Sequence, residues 1–274
     1  MRAMHANWHA LGAIALWATL ASLGVSLAHV PPFLLTGLAL VIGSVPAWPL
    51  VRQWRVPATT LALGVYGLFG FHFLLFIALR HAPPVEANLV NYLWPLFIVV
   101  LAPLFLPGLR LRAAHAVAAV VGFAGAAIAI LGSGGSTGAG WSWGYLPALG
   151  AAVMWSTYSL LTRRFSHFPT SYVTWFCVAS GLLALACHLA LEPGYTPRGE
   201  EWLYLVLMGL GPMGAAFFLW DRALKRGDPR SVGNLAYLAP LLSTLCLVAA
   251  GAGALATTSI VAMALILAGA WLGR

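Results

Sequence analysis

One pattern occurs twice in this chain, and the repetition limits what the chain can fold into. Residues 64–96 overlay residues 209–241 at a constant offset of 145 with no gap, and ten of the 33 positions are identical. They include Gly64/Gly209, Phe73/Phe218, Ala78-Leu79/Ala223-Leu224, Pro84/Pro229, Tyr92-Leu93/Tyr237-Leu238 and Pro95-Leu96/Pro240-Leu241. A second block repeats at offset 138: Ala-Leu-Gly-Ala at 10–13 with Trp17 and Thr19 returns at 148–151 with Trp155 and Thr157. The repeats lie in sequence that no aqueous surface could use. No Asp, Glu, Lys or Arg falls between Arg2 and Arg52, between Arg112 and Arg163, or between Arg230 and Arg274. Each copy carries five long apolar segments. Because five is odd, the second copy must cross a membrane in the direction opposite to the first.

A crossing needs roughly 20 apolar residues for a hydrocarbon core about 30 Å thick. Ten segments qualify: 8–28, 31–51, 59–79, 84–106, 113–132, 143–162, 170–191, 202–222, 231–250 and 254–272. Backbone groups in lipid need partners within their own segment, so the expected fold is an all-α membrane protein. It is expected to be built as two inverted five-helix repeats, 8–132 and 143–272, around a central cavity. The Gly/Ser-rich stretch 133–142 reads as a flexible linker on the outer side. The net charge of +8 could point to nucleic acid, but its placement does not. Sorted by alternate loops, twelve of the 14 Lys and Arg fall on one side, and only Arg80 and Arg198 on the other. That is a positive-inside pattern, so both termini are expected in the cytoplasm, with no nucleic-acid partner. The apolar N-terminal run resembles a signal peptide. Its match to 148–157 makes it part of the repeated fold instead.

Most of the remaining conspicuous residues have plain explanations. Trp8, Trp54, Trp141, Trp143, Trp202 and Trp271 fall at span ends, where indoles form an interfacial belt. Cys177, Cys187 and Cys246 have no metal-ligand spacing and read as small apolar packers. Spans 113–132 and 254–272 are rich in small residues and read as scaffold or as an oligomer contact, with a monomer the simpler expectation. Glu86, after Pro83-Pro84, reads as a carboxylate favoured by a helix N-terminus. None of the ten segments holds a His-Glu-x-x-His, a Gly-x-Ser-x-Gly or paired carboxylates, so no enzyme, cofactor or metal is expected.

The informative residues lie deep in their spans. Pro95 and Pro240 each sit about ten residues, or about 15 Å, into a helix. A mid-helix proline removes one hydrogen bond and kinks the rod, and a symmetric pair reads as two hinges. Asn88, Asn91, Tyr92 and Pro95 share one helix face at i, i+3 and i+4 spacing. Such polar groups are expected to face protein or a wet cavity. Trp17 and Trp155 are repeated midspan indoles, and Tyr158 lies beside Trp155. With Tyr92 and Tyr237 they are expected to wall an aromatic chamber suited to flat apolar solutes or cations. His72, aligned with Phe217, is the central titratable side chain and the natural place to look for a proton path. Gly209, Gly211, Pro212 and Gly214 answer Gly64, Gly67 and Gly70. Such clusters read either as backbone opened at a binding site or as close helix packing.

Taken together, these features resemble the ten-span EamA-type branch of the drug/metabolite transporter superfamily. The carriers are the doubled five-span unit and the pattern Ala78-Leu79…Pro84…Tyr92-Leu93-Trp94-Pro95-Leu96, echoed at Ala223-Leu224…Pro229…Tyr237-Leu238-Ala239-Pro240-Leu241. The Trp-rich spans, the Asn88/Asn91/Tyr92 stripe and Asp221-Arg222-Ala223-Leu224 are similar to its amino acid exporters. The resemblance implies a multi-pass protein of the bacterial inner membrane. It would export aromatic and other neutral amino acids by alternating access, with small-molecule substrate and membrane lipid as partners. The candidate substrate contacts are Trp17, His72, Asn88, Asn91, Tyr92, Trp155, Tyr158, Phe217, Tyr237 and Ser243, with Pro95 and Pro240 as hinges. Facilitated flow needs no proton relay and is the favoured coupling. The alternative is a drug, organic-cation or other small-metabolite exporter of the same superfamily. Cation carriers often place a carboxylate in the site, and Glu86 and Asp221 are read here near span ends.

Overall fold

A computed structural model describes residues 2–50, 55–132, 142–249 and 257–272 of the protein. The described part of the first repeat holds α1 (Arg2–Ala18), α2 (Leu20–Ser26), α3 (Pro32–Ser44), α4 (Ala58–Val65), α5 (Phe71–His81), α6 (Pro84–Asn91), α7 (Trp94–Phe105) and α8 (Ala113–Gly132). The second holds α9 (Tyr145–Arg164), α10 (Val173–Leu191), α11 (Glu201–Leu210), α12 (Ala216–Arg226), α13 (Pro229–Ala236), α14 (Leu238–Ala249) and α15 (Thr257–Leu272). Among the described residues there is no β-strand. Among the described residues, six helical stretches are long and apolar enough to cross a membrane: Ala6–Ser26, Pro32–Pro49, Ala58–His81, Ala87–Phe105, Thr170–Leu191 and Glu201–Arg226. The linker residues 133–141, Trp54, Trp141 and the side chain of Glu86 lie outside the described part.

The interruptions follow the sequence offset. Helices α4 and α5 are joined by a π-helical turn at Tyr66–Gly70, and α11 and α12 by another at Gly211–Ala215, 145 residues later. Helices α5 and α12, and likewise α6 and α13, begin and end 145 residues apart. Gly67 lies in the first π turn because Tyr158 packs flat against its backbone, where any Cβ would overlap the ring. Gly214, in the second, lies against α3, and a Cβ there would sit 2.8 Å from the Gly43 Cα. A Cβ on Gly209 would sit 2.8 Å from the Ala39 carbonyl oxygen. These glycines therefore bring backbones together and do not open them.

The proline positions require a correction. A kinked but continuous helix is expected from Pro95 and Pro240, yet the helix stops and restarts. Tyr92 N–H still reaches the Asn88 carbonyl at 2.9 Å, but Leu93 N–H turns to Val90 at 3.1 Å. Helix α7 then begins at Trp94 with Pro95 in its first turn, where a missing N–H costs no intrahelical bond. In the second copy Tyr237 separates α13 from α14. The eighth predicted span also runs further than expected. Helix α12 continues to Arg226, past the charged Asp221-Arg222 pair, because Asp221 and Lys225 find partners inside the protein.

Two ends of the bundle can be told apart by charge. At the basic end, Arg163 donates to the Lys225 carbonyl, Arg164 to the Phe105 carbonyl at 3.2 Å, and Arg230 to the Arg110 carbonyl at 2.6 Å. At the acidic end, Glu192 accepts from Phe33 N–H at 3.0 Å, Leu34 N–H at 3.2 Å, His188 Nδ1 at 3.0 Å and Arg80 Nη2 at 2.8 Å. That one buried carboxylate caps the orphan N–H groups of α3 and ties α3, α5 and α10 together. Glu201, close by in sequence, holds His29 at 2.7 Å and Tyr195 at 2.7 Å. Helices α8 and α15 pack closely on each other, with Gly125 against Ile266 and Gly269 against Ala118 and Gly122. The small residues of these two segments thus serve contact within the chain. Of the expected belt, Trp8, Trp143, Trp202 and Trp271 are exposed.

Candidate functional site

The interior is organised around Trp17, near the end of α1. Its ring meets Trp94 edge-on at 6.4 Å, Trp155 at 5.8 Å and Phe217 at 6.2 Å, and lies tilted at 5.2 Å from Trp220. Trp155 adds Phe71 at 5.2 Å, Tyr158 at 5.3 Å and Phe217 at 5.8 Å. Trp94 and Trp220 meet at 5.6 Å, near perpendicular. Edge-to-face geometry sets a positive ring edge against a negative face, and each pair adds about 0.5–1.5 kcal/mol beyond its buried area. The rings come from α1, α5, α7, α9 and α12, so both repeats build the cluster. Buried indole N–H groups need acceptors, and two of them have one. Trp17 Nε1 donates to the Pro212 carbonyl at 3.1 Å, and Trp220 Nε1 to Ser159 Oγ at 3.1 Å.

The π turns supply polar groups at the same depth. A π turn interrupts the regular hydrogen-bond ladder and leaves carbonyls to be met by other donors. In the second turn the carbonyl of Pro212 is met by Trp17. In the first, the Leu68 carbonyl lies 2.6 Å from His72 Nδ1. A carbonyl can only accept, so His72 carries its proton on Nδ1, and in the neutral ring Nε2 is left as an acceptor. The imidazole sits among Phe71 at 5.0 Å, Phe76 at 6.1 Å and Phe217 at 6.5 Å. Helix α1 also ends here. Thr19 breaks the helix and its Oγ1 donates to the Leu16 carbonyl at 2.7 Å, which seats Trp17 at a fixed helix terminus.

Trp17, His72, Trp155, Tyr158 and Phe217 are therefore gathered in one connected cluster. Tyr92 and Tyr237 are placed in a different cluster. Tyr237 is buried against Ala126, Leu241 and Ile266, with Tyr92 and Phe123 packed beside them. The Tyr237 ring lies on Gly122 of α8. The two tyrosines thus face the α8/α15 pair and are not brought to the Trp17 rings. Asn91 ends α6 and is 5% exposed, with no protein partner for its Oδ1. Asn88 on α6 and Ser243 on α14 are half-buried. Pro95 and Pro240 lie just beyond the helix interruptions.

Three residues of the cluster, Phe71, Trp94 and Trp220, are not singled out by the sequence pattern. They align with Ala216, Ala239 and Leu75 in the other copy, so repetition does not mark them. Asp221, in the last turns of α12, has a fully buried side chain that accepts from Thr170 Oγ1 at 2.6 Å and Lys225 Nζ at 2.9 Å. Lys225 in turn donates to the Phe168 carbonyl at 2.8 Å and lies 3.6 Å from the centre of the Phe168 ring. The carboxylate is thus neutralised by its own helix. No group of three or more His, Cys, Asp or Glu that could hold a metal ion occurs among the described residues.

An all-helical bundle with membrane-length apolar helices, doubled internally and enclosing an aromatic core shared by both halves, defines a membrane carrier. The chain belongs to the EamA-like transporter family, whose model matches residues 5–131 and again 142–273. It is a multi-pass membrane protein of a transporter family and not an enzyme. It is 47% identical over 267 residues to the aromatic amino acid exporter YddG of Ancylobacter novellus, a match covering 94% of this chain and 93% of that one. A solved crystal structure superposes on it with a TM-score of 0.94 at 44% identity, covering 99% of this chain and 96% of the other.

Proposed function

We propose that this protein exports amino acids, aromatic and other neutral ones, across the bacterial inner membrane by alternating access. In this reading ten spans form two inverted five-helix repeats, both termini are cytoplasmic, and the basic end of the bundle is the cytoplasmic one. Support for the inversion comes from chain direction. Helix α6 starts near Ala82 and Ala148 at the acidic end, whereas its counterpart α13 starts at the basic end beside Arg230 and Arg110.

The observation that carries the proposal is the aromatic cluster shared by both repeats, with His72 at its edge. An aromatic side chain is held by ring edges and faces, each worth about 0.5–1.5 kcal/mol. His72 Nε2 accepts from the substrate ammonium. Asn91, with an unpartnered buried amide oxygen, serves the zwitterion once α6 and α7 swing about the break at Tyr92-Leu93. The matching break at Tyr237 serves the other side. Tyr92 and Tyr237 act as bearings against α8 and α15 and do not line the chamber. The name of the relative from A. novellus is consistent with this substrate class.

An organic-cation carrier of the same superfamily would want an uncompensated carboxylate beside the rings. The buried carboxylates Asp221 and Glu192 are both ion-paired. Counterflow of labelled phenylalanine into proteoliposomes preloaded with unlabelled phenylalanine tests the proposal. Accumulation above empty vesicles is expected. None, with correctly folded protein in the vesicles, removes it.

A further inference from the structure

A second site lies well away from the aromatic cluster. At the basic end, a pocket of about 550 Å3 opens between the ends of α7, α9 and α12 and the start of α13. Its polar wall carries Arg163, Arg164 and Arg226, together with Asp228. Its apolar wall is Leu106, Pro107 and Pro229.

The charge in this pocket is not balanced from within. Asp228 is already engaged: its carboxylate accepts from Arg230 N–H at 2.9 Å and from Arg230 Nε at 3.0 and 3.1 Å. Burial alone would raise the Asp228 carboxyl, but the Arg230 hydrogen bonds and charge outweigh that and hold it below the usual carboxylate range. Asp228 and Arg230 thus cancel each other. Arg163 and Arg164 are oriented by backbone carbonyls, those of Lys225 and Phe105. A carbonyl fixes the geometry of a guanidinium without removing its charge, and each arginine has five donors of which one is so used. The result is three positive charges, two of them pre-oriented, around a cavity of headgroup size.

Preorganised guanidinium forks match phosphate oxygens. Basic pockets between helices at a membrane face are suited to anionic headgroups. Leu104, two residues before Leu106 on α7, is an exposed apolar side chain near this end of the helix. We propose that this pocket binds the phosphate headgroup of an anionic phospholipid from the leaflet at the basic end. The first repeat supplies its apolar wall through Leu106 and Pro107, and the second supplies the arginines. A bound headgroup therefore bridges the two repeats where they meet.

The test uses the full-length protein, purified and stripped of lipid by extended detergent washing. Its thermal midpoint is titrated with short-chain phosphatidylglycerol, short-chain phosphatidylcholine and inorganic phosphate, at matched ionic strength. Phosphatidylglycerol is expected to raise the midpoint saturably, and the other two are not. Arg226→Gln, at an exposed position, is expected to fold normally and to weaken the apparent phosphatidylglycerol affinity about fivefold, the worth of one cation near a headgroup. Arg164→Gln with Arg226→Gln is expected to abolish the saturable response. Equal responses to the two lipids overturn the proposal, as does an unchanged affinity in Arg226→Gln. A phosphate response equal to that of phosphatidylglycerol overturns the lipid as source and leaves free phosphate as the ligand.

Discussion

Replacing Lys225 with methionine isolates the interaction that holds α12 against the start of α10. The Asp221 side chain is fully buried and that of Lys225 is 10% exposed, so this pair is not screened as a surface ion pair would be. In Lys225→Met the carboxylate keeps one hydrogen bond, from Thr170 at 2.6 Å, while its Oδ1 has no protein partner. Leaving a buried charge without its counterion costs about 3–5 kcal/mol. For a chain of this size that lowers the thermal midpoint by on the order of 10 °C. Asp221→Asn is milder, at about 1–2 kcal/mol, because Lys225 still reaches the Phe168 carbonyl and ring. The double variant Asp221→Asn/Lys225→Met removes both charges and sets a thioether on the Phe168 ring, a favourable contact. It is expected to recover at least half the loss of Lys225→Met. Unfolding in detergent can be followed with a thiol-reactive dye, since Cys177 is buried. If Lys225→Met is no worse than Asp221→Asn, or the double variant no better than Lys225→Met, the buried-pair reasoning is wrong.

The other expected outcomes concern transport and packing. Trp17→Ala removes four ring contacts and the Pro212 hydrogen bond. It is expected to cost about 3–5 kcal/mol of stability and to depress phenylalanine counterflow more than leucine counterflow. Gly122→Leu would place a Cβ 2.5 Å from the Tyr237 ring, so little folded protein is expected by size-exclusion chromatography, whereas Gly24→Leu, with open space around it, should fold. Pro95→Ala with Pro240→Ala allows each interrupted helix to close up, and exchange is expected to slow while substrate affinity changes little, read as a fall in maximal rate at constant half-saturation. His72→Gln should leave transport nearly independent of pH under facilitated flow. Strict loss of proton-driven transport in that variant would instead place His72 in a proton path.

Much of the fold was legible because a membrane chain advertises its helices through charge-free length. The offset of 145 residues foretold more than similarity: it reappears in both π turns and in the bounds of α5/α12 and α6/α13. The break at Tyr92-Leu93 was legible only as a kink, because proline chemistry shows a missing hydrogen bond but not whether the helix heals around it. The aromatic cluster was legible in part. Trp17, His72, Trp155, Tyr158 and Phe217 were visible from depth and repetition. Trp94 and Trp220 were hidden by the same filter, since an aromatic cluster shared by two halves fills one volume and needs no duplicate partner. Tyr92 and Tyr237 are repeated as well, yet both belong to a separate cluster with Ala126, Leu241 and Ile266. The burial of Asp221 was not legible, because its ion-pair partner Lys225 lies four residues on, beyond the predicted span end.

The central claim, that the shared aromatic cluster reads the substrate, is tested most directly by a counterflow panel on wild-type protein and Trp17→Ala in proteoliposomes. The panel comprises phenylalanine, tryptophan, leucine, glutamate, lysine and a quaternary organic cation. Wild-type protein should exchange the aromatic and aliphatic neutral amino acids and exclude the charged ones and the cation. Trp17→Ala should lose the aromatic substrates first. Exchange of the cation in preference to phenylalanine, or a substrate ranking unaltered by Trp17→Ala in folded protein, would contradict it.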